Sequence, residues 1–177
     1  MKRSAMFATC AAFGMVLPGC LSIDIRTNTR APSVSEEAVP MLHIKQSVAF
    51  RNAAPSSGEV LIGEWSNMRV YADLHKYTES AIGAATNVLK RQNISVDDDA
   101  DKILELSVFG AKTEEGMWTF RSTTEMRVRT GDGLVKEFEA SRKYANAYST
   151  TAFMERTLAR AVADMFSDPE ILEYLEN

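Results

Sequence analysis

Cys20 is the residue of this chain best prepared for chemistry, because of what precedes it. Lys2 and Arg3 give a short positive start, and Ala5 to Val16 form an apolar run of small and medium residues. Leu17-Pro18-Gly19 then leads into the cysteine. This is the arrangement called a lipobox. The thiol receives a diacylglyceryl group, the bond between Gly19 and Cys20 is cut, and the freed amine is acylated in turn. Small residues let the peptidase approach the backbone; Pro18 stands where Ala or Ser is usual. The apolar run is too short for a spanning helix flanked on both sides. The competing reading is an ordinary signal peptide with Cys20 incidental. Each buried methylene contributes about 0.8 kcal/mol, so a single acyl chain is marginal and two or three hold firmly. Leu21 occupies the place of the Asp that signals inner-membrane retention. The expected location is therefore the outer membrane, lipid-anchored, with the body facing the periplasm.

Other reactive side chains are sparse. His43 and His75 have no carboxylate or second ligand at metal or acid–base spacing, so each reads as a hydrogen-bonded or half-exposed ring. Ser141 and Ser149 lack a nucleophile elbow. Gly131-Asp132-Gly133 is too short for a phosphate loop and fits a hairpin. Asp97, Asp98, Asp99 and Asp101 lack the glycine and terminal glutamate of a calcium loop, and read as a solvated turn. No catalytic set, metal site or cofactor is expected. Two surfaces are candidates for a ligand or partner. Trp118, Phe120 and Phe138, with Met126, could line an apolar groove, although strand spacing favours plain core. Arg121, Arg127 and Arg129 give a polar sheet face that reads as solvated and could meet an anionic partner.

The elements that must position these residues follow from periodicity. Residues 1–19 read as the signal and residues 20–40 as a lipidated Cys with a flexible tether. The tether is rich in Thr, Ser, Asn, Glu and Pro, with an estimated reach of roughly 25 Å. Residues 41–177 read as one periplasmic domain. Within it Met41 to Arg51 is a first strand, Glu59 to Gly63 a short strand or edge, and Asn67 to Tyr71 ambiguous. Asp73 to Arg91 is a helix capped by Asp73, with an apolar stripe from Leu74 to Leu89 and Asn93 as its stop. Ile103 to Lys112 is a strand with Leu104, Leu106 and Val108 on one face. From Trp118 to Arg129 apolar or small residues alternate strictly with polar ones, the mark of an antiparallel strand with one wet face. Leu134 to Tyr144 returns after the hairpin; if Met126 faces Phe138, Arg127 lies opposite Glu137 and beside Glu139. Thr151 to Phe166 is a second helix, and Pro169 opens a short third. The fold class is α+β: a mostly antiparallel sheet (strand, helix, three-stranded meander, helix) with helices on one face. Trp65, in a loop, and Trp118, near a strand end, are expected to be exposed.

Cleavage would remove 19 of the 177 residues and leave 158, enough for a real core. Losing Lys2 and Arg3 turns 20 basic against 24 acidic residues into 18 against 24, a net charge of −6. An acidic body argues against nucleic acid or anionic headgroups as the main partner. Both cysteines, Cys10 and Cys20, are used up by the signal and the anchor, so the mature domain has no disulfide.

Ala100-Asp101-Lys102-Ile103-Leu104-Glu105-Leu106, the following meander, and Ala161 through Leu172 resemble the YajG-type outer-membrane lipoproteins. The likeness covers the lipobox and most of the stretch from Asp73 to Leu175, and is weaker over Met41 to Asn67. It implies a small periplasmic α+β body and supplies no catalytic residues to carry over. The combined expectation is a non-enzymatic envelope lipoprotein. It would be held to the membrane by its lipid and bind another envelope protein as accessory or scaffold. The alternatives are a binding module for a small amphiphile or envelope glycan and, less favoured, a periplasmic hydrolase.

Overall fold

A computed structural model describes residues 22–27, 30–55, 58–145 and 150–177. The strands are β1 (Ile23–Thr27), β2 (Val48–Asn52), β3 (Glu59–Trp65), β4 (Met68–Asp73), β5 (Lys102–Glu115), β6 (Phe120–Thr130) and β7 (Val135–Tyr144). Helix α1 (Leu74–Arg91) separates β4 from β5, and α2 (Thr150–Met165) and α3 (Pro169–Glu176) close the chain. The α+β class holds, with mostly antiparallel pairing. The strands form two sheets where one was expected, in the orders β1-β4-β3 and β2-β5-β6-β7. The β1–β4 and β2–β5 pairs are parallel and the other three antiparallel.

Helix α1 forms for the reasons its sequence declares. The Asp73 carboxylate accepts from the backbone N–H groups of His75 and Lys76, and Lys90 and Arg91 occupy the last turn. Asn93 then takes a left-handed conformation (φ 60°) and the Ile94 N–H returns to the Leu89 carbonyl. Tyr77, Ala81, Ala84, Ala85, Val88 and Leu89 are buried. Gly83 serves another face than the sheet. A Cβ there would stand 2.8 Å from that of Ala31, so its absence lets the N-terminal segment cross the helix. Asp168 caps α3 in the same way, with Pro169 in its first turn.

The flexible tether expected over residues 20–40 is corrected wherever the structure describes it. Residues Ile23–Thr27 pair with β4 from Ile23↔Met68 to Thr27↔Ala72, and Val34 and Val39 are buried. The physical reason is backbone satisfaction. The β3–β4 hairpin has an open edge on β4, and β1 supplies its missing partners. The first strand is also shorter than the expected 41–51. It is confined to Val48–Asn52, while Leu42 and Ile44 are buried in extended chain and the Leu42 N–H reaches the Gln92 side chain at 2.8 Å. One hydrophobic cluster runs from Val34 to Leu175.

The long hairpin has the expected register, Met126↔Phe138 and Arg127↔Glu137. Ser122, Thr124, Met126 and Val128 face inward. Against them lies α2, with Thr157 hydrogen-bonded to Thr124 at 2.8 Å and Met154 sulfur accepting from Ser122. Strand β5 carries a bulge between Val108 and Gly110. Leu104, Leu106 and Val108 point inward before it and Thr113 after it, so the inward phase moves from even to odd numbers. The bulge coincides with a cross-layer hydrogen bond. The Val108 N–H donates to Thr78 Oγ1 of α1 at 2.8 Å, while that hydroxyl donates to the Leu74 carbonyl at 2.9 Å.

This bond gives a direct test. Thr78→Val keeps the volume but leaves the Val108 N–H, buried beneath α1, without an acceptor. It should lower unfolding free energy by about 1–3 kcal/mol, read as a shift of the urea midpoint. Thr78→Ser keeps the acceptor and should stay closer to wild type.

Candidate functional site

The end of the molecule at which β1 begins is built from three pieces. Gly19 and Cys20 themselves lie outside the described residues. Strand β1 begins at Ile23, whose N–H donates to the Asn67 carbonyl in the β3–β4 turn at 2.7 Å. Arg69 of β4 pairs with Asp24 at 2.9 Å and reaches the Ser22 hydroxyl at 3.3 Å. At the other end of β1, Thr27 Oγ1 donates to the Tyr71 carbonyl and lies 3.0 Å from the Tyr77 hydroxyl on α1. The strand is thus fastened at both ends.

Beside it, Trp65 closes β3. It is buried, and its ring meets Phe120 edge-on with centroids 5.5 Å apart. Sequence reasoning expected Trp65 to be exposed in a loop; it belongs to the core because β3 runs on to Trp65 and a bulge at Ile62 turns Gly63 and Trp65 inward. Gly63 makes the packing possible. A Cβ there would stand 2.6 Å from the Trp65 ring and 2.8 Å from the Thr113 carbonyl oxygen. The Trp65 indole N–H has no hydrogen-bond partner among the described residues.

The third piece is the β5–β6 turn. The Gly116 N–H donates to the Thr119 carbonyl at 2.7 Å, closing a tight tip around Met117 and Trp118, which are 89% and 83% exposed. Trp118 therefore lies outside the strand to which alternation assigned it. The expected Trp118–Phe120–Phe138 groove does not assemble. Phe120 packs on Trp65, Phe138 lies at the edge of the core opposite Met126, and Trp118 projects into solvent.

The arginine row is exposed as expected, but it does not offer free positive charge. Arg127 makes a 2.7 Å ion pair with Glu137 and lies over the exposed Phe109 ring. Arg129 stands 4.0 Å from Glu105, and Arg121 is registered opposite Glu114. The Glu114 carboxyl is itself held below the usual range by its hydrogen bond to Lys112. A face of alternating sign suits a polar protein surface better than a simple anion.

The histidines do structural work or stand alone. His75 has Nδ1 at 3.3 Å from the Ala54 carbonyl and Nε2 at 3.3 Å from the Asn52 amide nitrogen. With the proton on Nδ1 both contacts are satisfied, and the ring ties β2 and its loop to α1. Glu79 lies 3.6 Å from Nε2, beyond hydrogen-bond range. His43 is exposed at the far end. Asp97 closes its own turn by accepting the Asp99 N–H. No three His, Cys, Asp or Glu converge as a metal set among the described residues.

A shallow groove of about 440 Å³ runs between residues 32–38 and α2. Ala152, Ala159 and Ala163 lie along the helix there, and Arg142, Arg156 and Arg160 line it with Glu155. Sequence reasoning missed it because the 32–38 wall was read as loose chain.

No family model matches the chain, and no curated protein does. Among solved structures, the crystal structure of protein XCC0632 from Xanthomonas campestris, of the DUF330 family, matches with a TM-score of 0.55 at 13% identity. The match covers 81% of this chain and 92% of that one. A second chain, described only as an uncharacterized protein, gives a TM-score of 0.38 at 9% identity over 82% and 95% of the two chains. The first likeness shows a shared fold.

The link between β1 and α1 has a pH signature. Burial pushes the Tyr77 hydroxyl up to about 12, only partly offset by its bond to Thr27. The ordinary tyrosine value is about 10. Below pH 10 both states keep the proton. Between pH 10 and 12 the unfolded chain releases it while the folded one holds it, so alkali favours unfolding. Unfolding free energy should fall across that window, with a smaller fall in Tyr77→Phe. Denaturant titrations at a series of pH values measure the difference, and parallel curves would exclude this role.

Proposed function

We propose that this chain is a non-enzymatic lipoprotein of the bacterial outer membrane. It is anchored through Cys20, with its α+β body in the periplasm acting as an accessory that docks another envelope protein. The observation that carries the reading is the sequence from Lys2 to Cys20: positive start, short apolar run, small residue, cysteine. The resemblance to the YajG-type lipoproteins belongs to the same reading.

The structure changes how such an anchor would work. With β1 starting at Ile23, three residue steps separate Cys20 from the folded body, about 10 Å at full extension. The lipid would hold the body close against the bilayer. The face available for docking is then the outer side of β5 and β6, where Phe109, Arg127 and Arg129 are exposed.

One observation favours a second reading, the binding of an anionic amphiphile. The groove along α2 combines Arg142, Arg156 and Arg160 with small apolar residues.

Two measurements test the proposal. Cys20→Ser should lose palmitate labelling and membrane retention, and labelling that survives would refute the anchor. A photo-crosslinker at Phe109 should capture a defined envelope protein, and the same group at Met41, exposed at the far end, should not. Equal capture at both sites would remove the docking face. A lipid that co-purifies and is lost in Arg156→Glu would favour the groove instead.

A further inference from the structure

Met117 and Trp118 are the two most exposed large apolar side chains described, and they are neighbours on one tight turn. Their position relative to the N-terminus is fixed by strand register. Ile23 pairs with Met68, Met68 with Trp65, and the Trp65 ring touches Phe120, which is paired with Glu115 at the base of the tip. Two ladder spacings and one ring contact therefore separate the first residue of β1 from this hairpin, a lateral distance of about 15–20 Å. Strands β3 and β5 run in the same sense. Thr113 meets Gly63 and Phe120 meets Trp65, and the start of α1 meets β5 lower down, at Val108. The β3–β4 turn, the start of β1 and the β5–β6 tip thus share one end of the molecule.

We infer that this end is a membrane foot, in which Met117 and Trp118 enter the interfacial layer of the leaflet that holds the acylated Cys20. The inference rests on the lipid-anchor reading. Its independent support is the placement of an exposed Trp–Met pair at the end where the undescribed N-terminal chain leaves the body. Indole is the side chain best suited to that layer, with an apolar ring and one N–H for the headgroup region. Ile23, 47% exposed, extends the same apolar end.

Charge agrees with insertion by apolar contact. Around the foot the signs alternate, with Asp24 paired to Arg69, Glu114 to Lys112, and Arg121 facing Glu114. The acidic turn Asp97–Asp101 precedes the other end of β5, a strand length or about 40 Å away. Glu170, Glu173 and Glu176 of α3 belong to that far end, where Tyr174 bonds Ile103 and Gly131. The acidic end points away from the bilayer when the foot is down. Zwitterionic lipid should therefore suffice.

The full-length lipidated protein, reconstituted in phosphatidylcholine vesicles with brominated acyl chains, tests this. The chain has two tryptophans, and Trp65 is buried, so the difference between wild type and Trp118→Phe isolates Trp118. Wild type should lose much of its emission on brominated relative to plain vesicles, and Trp118→Phe should lose little. Intact mass and vesicle flotation of the same preparation separate the two readings. Acylated protein that floats but shows no quenching of Trp118 overturns the foot and leaves the anchor standing. Protein without acyl mass that stays at the bottom of the gradient overturns both. A Trp118 that is unquenched by lipid and crosslinks to a protein overturns the foot in favour of a protein contact.

Discussion

The hydrogen bond from the Val108 N–H to Thr78 Oγ1 governs how the two sheets meet. A regular β5 would present even-numbered residues inward along its whole length. The bulge after Val108 shifts the phase, so that Thr113 turns inward over the last third of the strand. Strand β2 pairs with β5 only as far as Leu106, and beyond it α1 supplies the Val108 N–H with an acceptor through a hydroxyl that is itself anchored to Leu74. The re-aimed upper part of β5 then lies against β3. Contact there is close enough that Gly63 is required beneath Thr113 and Trp65. The large sheet thereby reaches past the helix layer and carries the β5–β6 turn to the end where the chain enters the fold.

The second dependence is on β1. A five-residue strand at a sheet edge has little stability of its own. The parallel ladder to β4, the Arg69–Asp24 and Arg26–Glu59 pairs and the Thr27–Tyr77 bond hold it. The exposed ion pairs add little in water, whereas the Thr27 hydroxyl is buried and its bonds are correspondingly costly to break. On the proposed anchor, force from the N-terminus would enter the body through this strand. It would reach α1 through Tyr77 before it reached the large sheet.

Local chemistry made much of the fold legible. Asp73 as a cap, Asn93 as a stop, Pro169 in the first turn of α3 and the Arg127–Glu137 register are decided within one element or one hairpin, and the structure has them all. What sequence could not show depends on distant partners. Ile23 and Ile25 sit among Asp24, Arg26 and Thr27, a pattern that becomes a strand only when the edge of β4, more than forty residues later, is available. Trp118 is exposed as expected but lies outside the strand, whereas Trp65 is buried where exposure was expected. Trp118, Thr119 and Phe120 continue the alternation of β6 backwards by two residues although the backbone is still turning there, so Trp118 was placed near a strand end. Trp65 follows a bulge that reverses its face, and no local signal marks that bulge. For the candidate site, the exposure of the arginine row was readable, while the fastening of β1 and the groove along α2 were not; Cys20 lies outside the described residues.

A docking role also has to choose between the edge and the face of the large sheet. Strand β7 is an edge, paired with β6 alone among the described strands. It carries Lys136, Glu137, Glu139, Arg142 and Lys143, the charged pattern that blunts strand addition. Lys136 is further committed to Glu170 at 2.6 Å and Asp168 at 3.6 Å, so the start of the edge is covered by α3. Hydrogen bonding to Glu170 raises the Lys136 pKa above its ordinary value. The outer face is different. Phe109 sits at the bulge, half-exposed under the Arg127 guanidinium, with ion pairs on either side. A partner that covers this face desolvates an aromatic–arginine pair already held in place, and little ordering entropy remains to be lost on binding. Recognition by the face, with the edge kept closed, is the arrangement these side chains favour.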